Sequence, residues 1–395
     1  MRALIITKIF PNCVERLSSP FNRRQFAALS RLCEVEVLAT IPWFPGASAF
    51  GRWSAAGRLA RVPAEERIDG LRVRHPRVAF LPKIGHGVAG PLYAASLAAT
   101  VLPYRGRVDV VLGAWAYPDG FAAVAVADML GVPSVIKLHG SDMNVVARLP
   151  GPRRRLHWAL PRATRVVAVT RQLAERALEL GVRPERVDVV PNGIDRDVFR
   201  PSDRAQARRA LGLLDATPIV LYVGHLKEEK GALDLIRAFG SVGDRLQGAR
   251  LVMVGDGAAE SACRALATEL GVSVTFAGAQ PHETIPTWLA AADTLALPSW
   301  NEGMPNVVVE ALACGRPVVA TAVGGIPDVL DSLSGILVPP REPRALGEAL
   351  VLTLSKTHDA AAISAALKRP DWPTSARLLY ESLLSALGSA ASEAA

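Results

Sequence analysis

Two glutamates separated by seven residues stand in the segment Pro298-Ser299-Trp300-Asn301-Glu302-Gly303-Met304-Pro305-Asn306-Val307-Val308-Val309-Glu310. Pro305 suits a first helical position, so a helix is expected to start across Met304 to Val307, with free N–H groups that favour an anion such as a diphosphate. Glu310 then lies about one turn inside that helix, where a carboxylate can accept paired hydrogen bonds from the vicinal hydroxyls of a ribose. Glu302, in the preceding loop, can hold sugar hydroxyls. The plainer alternative makes Glu310 a solvated helix residue and Glu302 a surface charge, but the helix around Glu310 is otherwise apolar.

Upstream, Val223-Gly224-His225-Leu226-Lys227-Glu228-Glu229-Lys230-Gly231 reads as a glycine turn leaving a strand, with a lysine just before a helix over Ala232–Phe239. Lys230 can offer a fixed positive charge to a departing diphosphate oxygen, which is electrostatic stabilisation of a transition state. Lys227 competes for that role and reads more readily as a solvated side chain. His139, in Lys137-Leu138-His139-Gly140-Ser141-Asp142, follows another strand. Asp142 either joins it in a site or caps the next helix. The four cysteines, Cys13, Cys33, Cys263 and Cys314, lack the spacing of a zinc site or a disulfide framework and suit a reducing compartment.

These residues need elements to position them. Strand-length apolar runs alternate with helix-length segments: Ala3–Ile6, a helix at Asn22–Cys33, Val35–Leu38, then strands at Leu71–Arg74, Val108–Leu112, Ser134–Leu138, Val166–Val169 and Val187–Val190. Helices fall at Gly120–Leu130 and Arg171–Leu180. This half reads as a parallel α/β sheet. The pattern restarts with Ile219–Val223, Leu251–Val254, Val274–Phe276, Thr294–Leu297, Val318–Ala320 and Ile336–Val338. Turn formers at Pro191-Asn192-Gly193-Ile194-Asp195 place a linker between the halves. An amphipathic stretch, Ala376–Leu387, precedes an Ala/Ser-rich tail expected to fray. Two doubly wound domains bind ligands beyond the carboxyl ends of their strands, with the cleft between them as the expected site. His139, Gly224-His225, Gly255-Asp256-Gly257 and Glu302 each follow a strand in this reading.

At 395 residues, with half of them hydrophobic and 21% charged, the chain is too long for one core and too apolar for disorder. Met1–Phe10 is too short, with Lys8 too early, for a signal peptide. The most apolar stretches, Val88–Leu102 and Val108–Leu130, are interrupted by Gly90-Pro91 and by Asp109 and Asp119, so no membrane span is expected. The net charge of +8 is unevenly spread, with 27 Lys+Arg against 15 Asp+Glu in residues 1–195. Such a field attracts nucleic acid, anionic lipid or a phosphorylated substrate without distinguishing them. Pro152-Arg153-Arg154-Arg155-Leu156-His157-Trp158 groups three cations with an aromatic, as a membrane-surface contact does.

The Glu302/Glu310 pair, the Gly-x-Leu-x-x-x-Lys-Gly form of Gly224–Gly231, the Pro191–Asp195 linker and Gly255-Asp256-Gly257 together resemble the retaining GT-B glycosyltransferases of family 4, of the bacterial polysaccharide type. The resemblance covers most of the chain and is most specific from Val190 to Asp328. It implies two Rossmann-like domains facing across a cleft: residues 1–190 for the acceptor, a linker over 191–200, residues 201–370 for a nucleotide-sugar, and residues 371–395 as a final helix crossing back to the first domain.

Under that resemblance Glu310 binds ribose, Glu302 the donor sugar and Lys230 the diphosphate, with Gly303, Met304, Pro305 and Asn306 at the helix start. Gly224, His225, Gly255 and Asp256, and the backbone to Gly278, border the donor, and Asn192 lies at the linker. His139 contacts the transferred sugar or steadies charge near the anomeric centre. No metal or other cofactor is expected.

Two departures stand out. His225 occupies a position where the family usually has Arg, exchanging a permanent cation for one that titrates near neutrality. Ser18-Ser19-Pro20-Phe21-Asn22-Arg23-Arg24 replaces the usual Gly-Gly loop, and Arg23 or Arg24, with Asp142, is expected to meet the acceptor.

The expected partners are a nucleoside-diphosphate sugar and a glycan or lipid-linked acceptor in envelope polysaccharide synthesis, with an anionic membrane surface against the basic domain, in the cytoplasm or at the inner membrane face. The alternatives are a soluble glycosyltransferase with a small acceptor and a non-catalytic sugar-nucleotide binder. A dinucleotide oxidoreductase lacks its GxGxxG after the first strand, Ile6-Thr7-Lys8-Ile9-Phe10. Nucleic-acid binding leaves the glutamate pair unexplained.

Overall fold

The computed structural model describes residues 1–16, 18–79, 89–213, 217–246 and 248–394. Val88, the first residue of one apolar stretch singled out above, lies outside them. The chain forms two compact units, Met1–Gly193 with Pro370–Ala395, and Ile194–Arg369.

The first unit is built on an eight-stranded sheet in the spatial order Val187–Val189, Arg165–Ala168, Ser134–Leu138, Val110–Gly113, Arg2–Thr7, Glu34–Ala39, Leu71–Arg74, Glu65–Ile68. Its central strands are apolar without alternation because helices cover both faces; Ala3 to Thr7 and Ser134 to Leu138 are all buried. The sheet is not wholly parallel, as the sequence had suggested. Glu65–Ile68 runs antiparallel to Leu71–Arg74, because Asp69 and Gly70 both take positive φ and close a two-residue hairpin turn. A further two-stranded parallel sheet pairs Ile41–Trp43 with Arg77–Ala79.

The C-terminal helix runs Trp372–Ala394, extending past Ala376–Leu387 at both ends. Its Ala376, Leu379, Leu383 and Ala386 enter the same core as Ile5, Phe26, Val110 and Val167. No helix among the described residues is long and apolar enough to cross a membrane.

The second unit carries six parallel strands ordered Val274–Gly278, Arg250–Val254, Ile219–Val223, Thr294–Leu297, Val318–Thr321, Gly335–Val338. Numbered within the unit this is 3-2-1-4-5-6, the doubly wound order whose direction reverses between its first and fourth strands. The loops leaving Val223 and Leu297 therefore diverge at the switch point, which is where such a sheet receives a ligand.

Candidate active site

At the second unit's switch point the loop after Val223 ends in a single 3-10 turn, Glu228–Lys230, and then Gly231. Gly231 has φ +69°, and a Cβ there would lie 2.1 Å from the Pro298 carbonyl oxygen. Only glycine permits the turn to press against the neighbouring loop. That approach brings Lys230 Nζ to 2.7 Å from Glu302 Oε1. Glu302's side chain is 9% exposed, so its charge is balanced by the lysine beside it. An ammonium has three N–H donors, which leaves Lys230 two for an incoming anion.

The Glu302 loop is itself tethered. Trp300 donates its backbone N–H to Glu229 O at 2.9 Å and its indole Nε1–H to Asp234 Oδ2 at 2.7 Å, with Arg341 stacked 4.2 Å over its ring. Gly325 N donates to Gly303 O at 2.6 Å.

The following helix is Asn306–Ala313. Pro305 has extended φ/ψ and stands just before the helix, so the first turn begins two residues later than the Met304 start expected. Met304 is nearly buried, its Sδ 3.6 Å from Arg369 Nη2. Glu310 is buried among Val308, Val309, Ala311 and Leu312, and its Oε1 lies 3.2 Å from His282 Nε2.

Gly224, Gly255, Asp256 and Gly278 are brought together by backbone bonds. Gly224 N donates to Val254 O, Leu226 N to Asp256 O at 2.7 Å and Gly255 N to Gly278 O at 2.8 Å. A Cβ on Gly255 would meet Gly224 O at 1.9 Å, so this approach also requires glycine. His225 and Asp256 stand 3.7 Å apart with side chains 71% and 63% exposed, a solvated pair.

In the first unit, His139 follows the strand Ser134–Leu138. Its ring packs on Phe21 and Trp115, with centroids 4.9 and 5.9 Å away. Burial first, and the nearby Lys137 charge second, hold its pKa well below the ordinary histidine value. Burial thus favours the neutral imidazole. Its buried Nε2 has no hydrogen-bond partner among the described residues.

Asp142 is fully buried, with Oδ1 accepting from Gly140 N at 2.6 Å and Met143 N at 3.0 Å, and Oδ2 from Ala116 N at 2.9 Å. His139 N approaches both oxygens. The carboxylate shapes the His139 turn and has no face left for an acceptor. Arg23 is likewise committed, donating through Nε and Nη2 to Asp69 at 2.6 and 2.8 Å. Arg24 on the same helix, Pro20–Leu29, is half-buried with no ion-pair partner among the described residues. Asn192 is nearly buried, its Oδ1 unpartnered among them.

In the Arg-rich helix Pro150–Ala159, Arg153 and Arg154 are exposed. Arg155 instead lies over Phe121, and half-buried Trp158 packs against the same ring at 4.9 Å.

Sequence reasoning missed His282, although it too follows a strand's carboxyl end, three residues past the Gly278–Ala279 turn. It also missed Lys137, a fully buried lysine that donates to Gln25 Oε1, whose amide donates in turn to Ser375 Oγ at 2.8 Å. Lys137 sits in an apolar strand, where only the fold reveals its partner.

Two Rossmann-like units are the architecture of the GT-B class of glycosyltransferases. The sequence model for Glycosyltransferase Family 4 matches residues 24–198, and that for Glycosyl transferases group 1 matches residues 217–356. The chain is 30% identical over 355 residues, 89% of its length and 88% of the relative's, to a Bacillus subtilis (strain 168) protein named provisionally as a teichuronic acid biosynthesis glycosyltransferase, TuaC. It is 34% identical, over 75% of each chain, to D-inositol 3-phosphate glycosyltransferase 1 of Catenulispora acidiphila. The chain belongs to glycosyltransferase family 4 and is a glycosyltransferase. The crystal structure of Anabaena Alr3699/HepE in complex with UDP shares its fold, with a TM-score of 0.74 and 21% identity over 98% of this chain and 100% of that one.

Proposed function

We propose that this glycosyltransferase takes its sugar from a nucleoside diphosphate and transfers it, with retention of anomeric configuration and without a bound metal, to a lipid-linked or membrane-surface glycan in envelope polysaccharide synthesis. The observation that carries the reading is the Lys230–Glu302 pair at the switch point, 2.7 Å apart, beside a helix that presents Glu310. Glu302 serves sugar hydroxyls and orients Lys230. Lys230 and the first N–H groups of Asn306–Ala313 stabilise the diphosphate as the bond from its oxygen to the anomeric carbon breaks. The acceptor oxygen bonds to that carbon on the same face, and its proton passes to the departing phosphate oxygen. His139, whose Nε2 has no hydrogen-bond partner among the described residues, offers a hydrogen bond to a sugar hydroxyl.

The nucleotide donor is supported by the UDP bound in the fold relative HepE. The polysaccharide acceptor is supported by the teichuronic acid name of the Bacillus relative, and the membrane face by exposed Arg153 and Arg154. Metal independence rests on Lys230 as the cation offered to the diphosphate.

The deciding experiment is calorimetric titration with UDP-, GDP- and ADP-sugars in EDTA, repeated with Glu310→Ala. Binding of one nucleotide class that the substitution weakens is the expected result. Absence of binding to all three would overturn the donor assignment.

A further inference from the structure

We propose that His282 is a positioning residue for the donor nucleotide: it holds the Glu310 carboxylate in the orientation that receives the ribose hydroxyls, and thereby sets how strongly the site prefers a ribose over a sugar lacking those hydroxyls. The proposal rests on the reading of Glu310 as the ribose acceptor.

The helix bearing Glu310 is rigid, since Val308, Val309, Ala311 and Leu312 are all buried. The remaining freedom is in the glutamate's own side-chain torsions, and the terminal carboxylate torsion is broad unless something pins it. His282 is the group that stands against it. Its Nε2 stands 3.2 Å from Oε1, an ion-pair contact between side chains 24% and 10% exposed. A carboxylate held at one oxygen keeps the other, and the spare lone pair of the first, for two vicinal hydroxyls.

His282 is held in turn. The ring of fully buried Phe199 meets it edge-on at 5.5 Å with planes at 73°. The loop delivering it is closed by Gln280 Nε2 donating to Ala277 O at 2.7 Å and by Thr284 Oγ1 donating to Pro281 O at 2.8 Å. The strand Val274–Gly278 and the helix Asn306–Ala313 are separated in sequence by a helix and a strand, so this contact is tertiary. Pre-positioning of this kind lowers the ordering cost at binding.

The test compares UDP, GDP and ADP with their 2′,3′-dideoxy counterparts by calorimetry on the full chain, carrying the tightest pair into the variants. In the wild type the ribonucleotide binds more tightly, and Glu310→Ala brings the ratio close to one. His282→Ala and His282→Leu each reduce the ratio by about 3- to 10-fold while leaving dideoxy binding unchanged, and His282→Gln, whose amide N–H can reach the carboxylate, recovers most of it. A full ratio in both His282→Ala and His282→Leu, with Glu310→Ala still abolishing it, overturns the role of His282 and leaves the ribose reading intact. Equal weakening of both nucleotide forms by His282→Ala and by His282→Leu also overturns it, since that marks a structural role. A ratio that survives Glu310→Ala, or no discrimination in the wild type, overturns the ribose reading and this proposal with it.

Discussion

Lys230 Nζ lies 2.7 Å from Glu302 Oε1, and the two residues follow neighbouring strands of one sheet at the point where the strand order reverses. Neither is a free charge. The lysine neutralises a carboxylate that is almost wholly buried, and the carboxylate aims the lysine. Under the proposed function, a diphosphate arriving there would meet an ammonium already desolvated on one side, which makes the interaction stronger than it would be at an open surface.

Removing that ammonium is therefore costly. Lys230→Ala is expected to lower kcat by about 10²- to 10³-fold, the range for loss of one charge-stabilising group. Steady-state kinetics in EDTA measure it, and full turnover in the variant overturns the assigned role. The same assay compares wild-type rates before and after EDTA. Unchanged activity is expected, and recovery only on adding magnesium would remove the metal-independent mechanism.

Trp300 moors the Glu302 loop through its indole N–H on Asp234. Trp300→Phe keeps a ring beneath Arg341 and deletes that donor, so a stability loss of about 1.5–3 kcal/mol is expected, the usual value for a hydrogen bond to a charged group. Thermal melting reports the loss, and donor KM rises with it if the loop slackens. Unaltered melting and KM would show that the loop is held by other contacts.

Lys137 makes stability depend on alkaline pH. Its pKa is lowered to about 7 by burial, against 10.5 for the free side chain. Between these values the unfolded chain binds a proton that the folded chain does not, so stability rises with pH across roughly 7 to 10, by about 1.4 kcal/mol per pH unit. Below pH 7 both states are protonated and this slope vanishes. Urea unfolding at a series of pH values should show the rise in the wild type and a flatter profile in Lys137→Met. Identical profiles would mean that Lys137 is not the group responsible.

The basic helix offers two kinds of arginine. Arg153→Glu with Arg154→Glu is expected to weaken binding to phosphatidylglycerol vesicles, read by co-sedimentation, by about 30-fold or more at low salt, since each exposed cation near an anionic surface contributes about 1 kcal/mol. Arg155→Glu is expected to lower thermal stability as well, because Arg155 packs over Phe121. Vesicle binding indifferent to the double substitution would exclude this face.

The strands were legible because a parallel strand covered on both faces must be apolar along its whole length, so Ile219–Val223, Thr294–Leu297 and Ser134–Leu138 announce themselves. The loops at their carboxyl ends were legible for a related reason: polar residues and glycines there interrupt otherwise apolar runs. Glu302, Glu310, Lys230 and His139 could each be picked out on those grounds. The edge hairpin was also written in the chain, in Asp69-Gly70, and was passed over.

Partnership was a different matter. Glu302 meets Lys230 from 72 positions away and Arg23 meets Asp69 from 46, and no local propensity encodes either pairing. Burial by the fold, not residue type, lowers the pKa of both His139 and Lys137. His282 and Glu310 belong to separate elements that only the fold brings to 3.2 Å. The sequence alone determined which segments become strands and helices and which residues carry reactive groups, because both follow from interactions within a few residues. The tertiary structure alone decided which of those groups share a neighbour, a charge or a desolvated wall, because topology sets those distances.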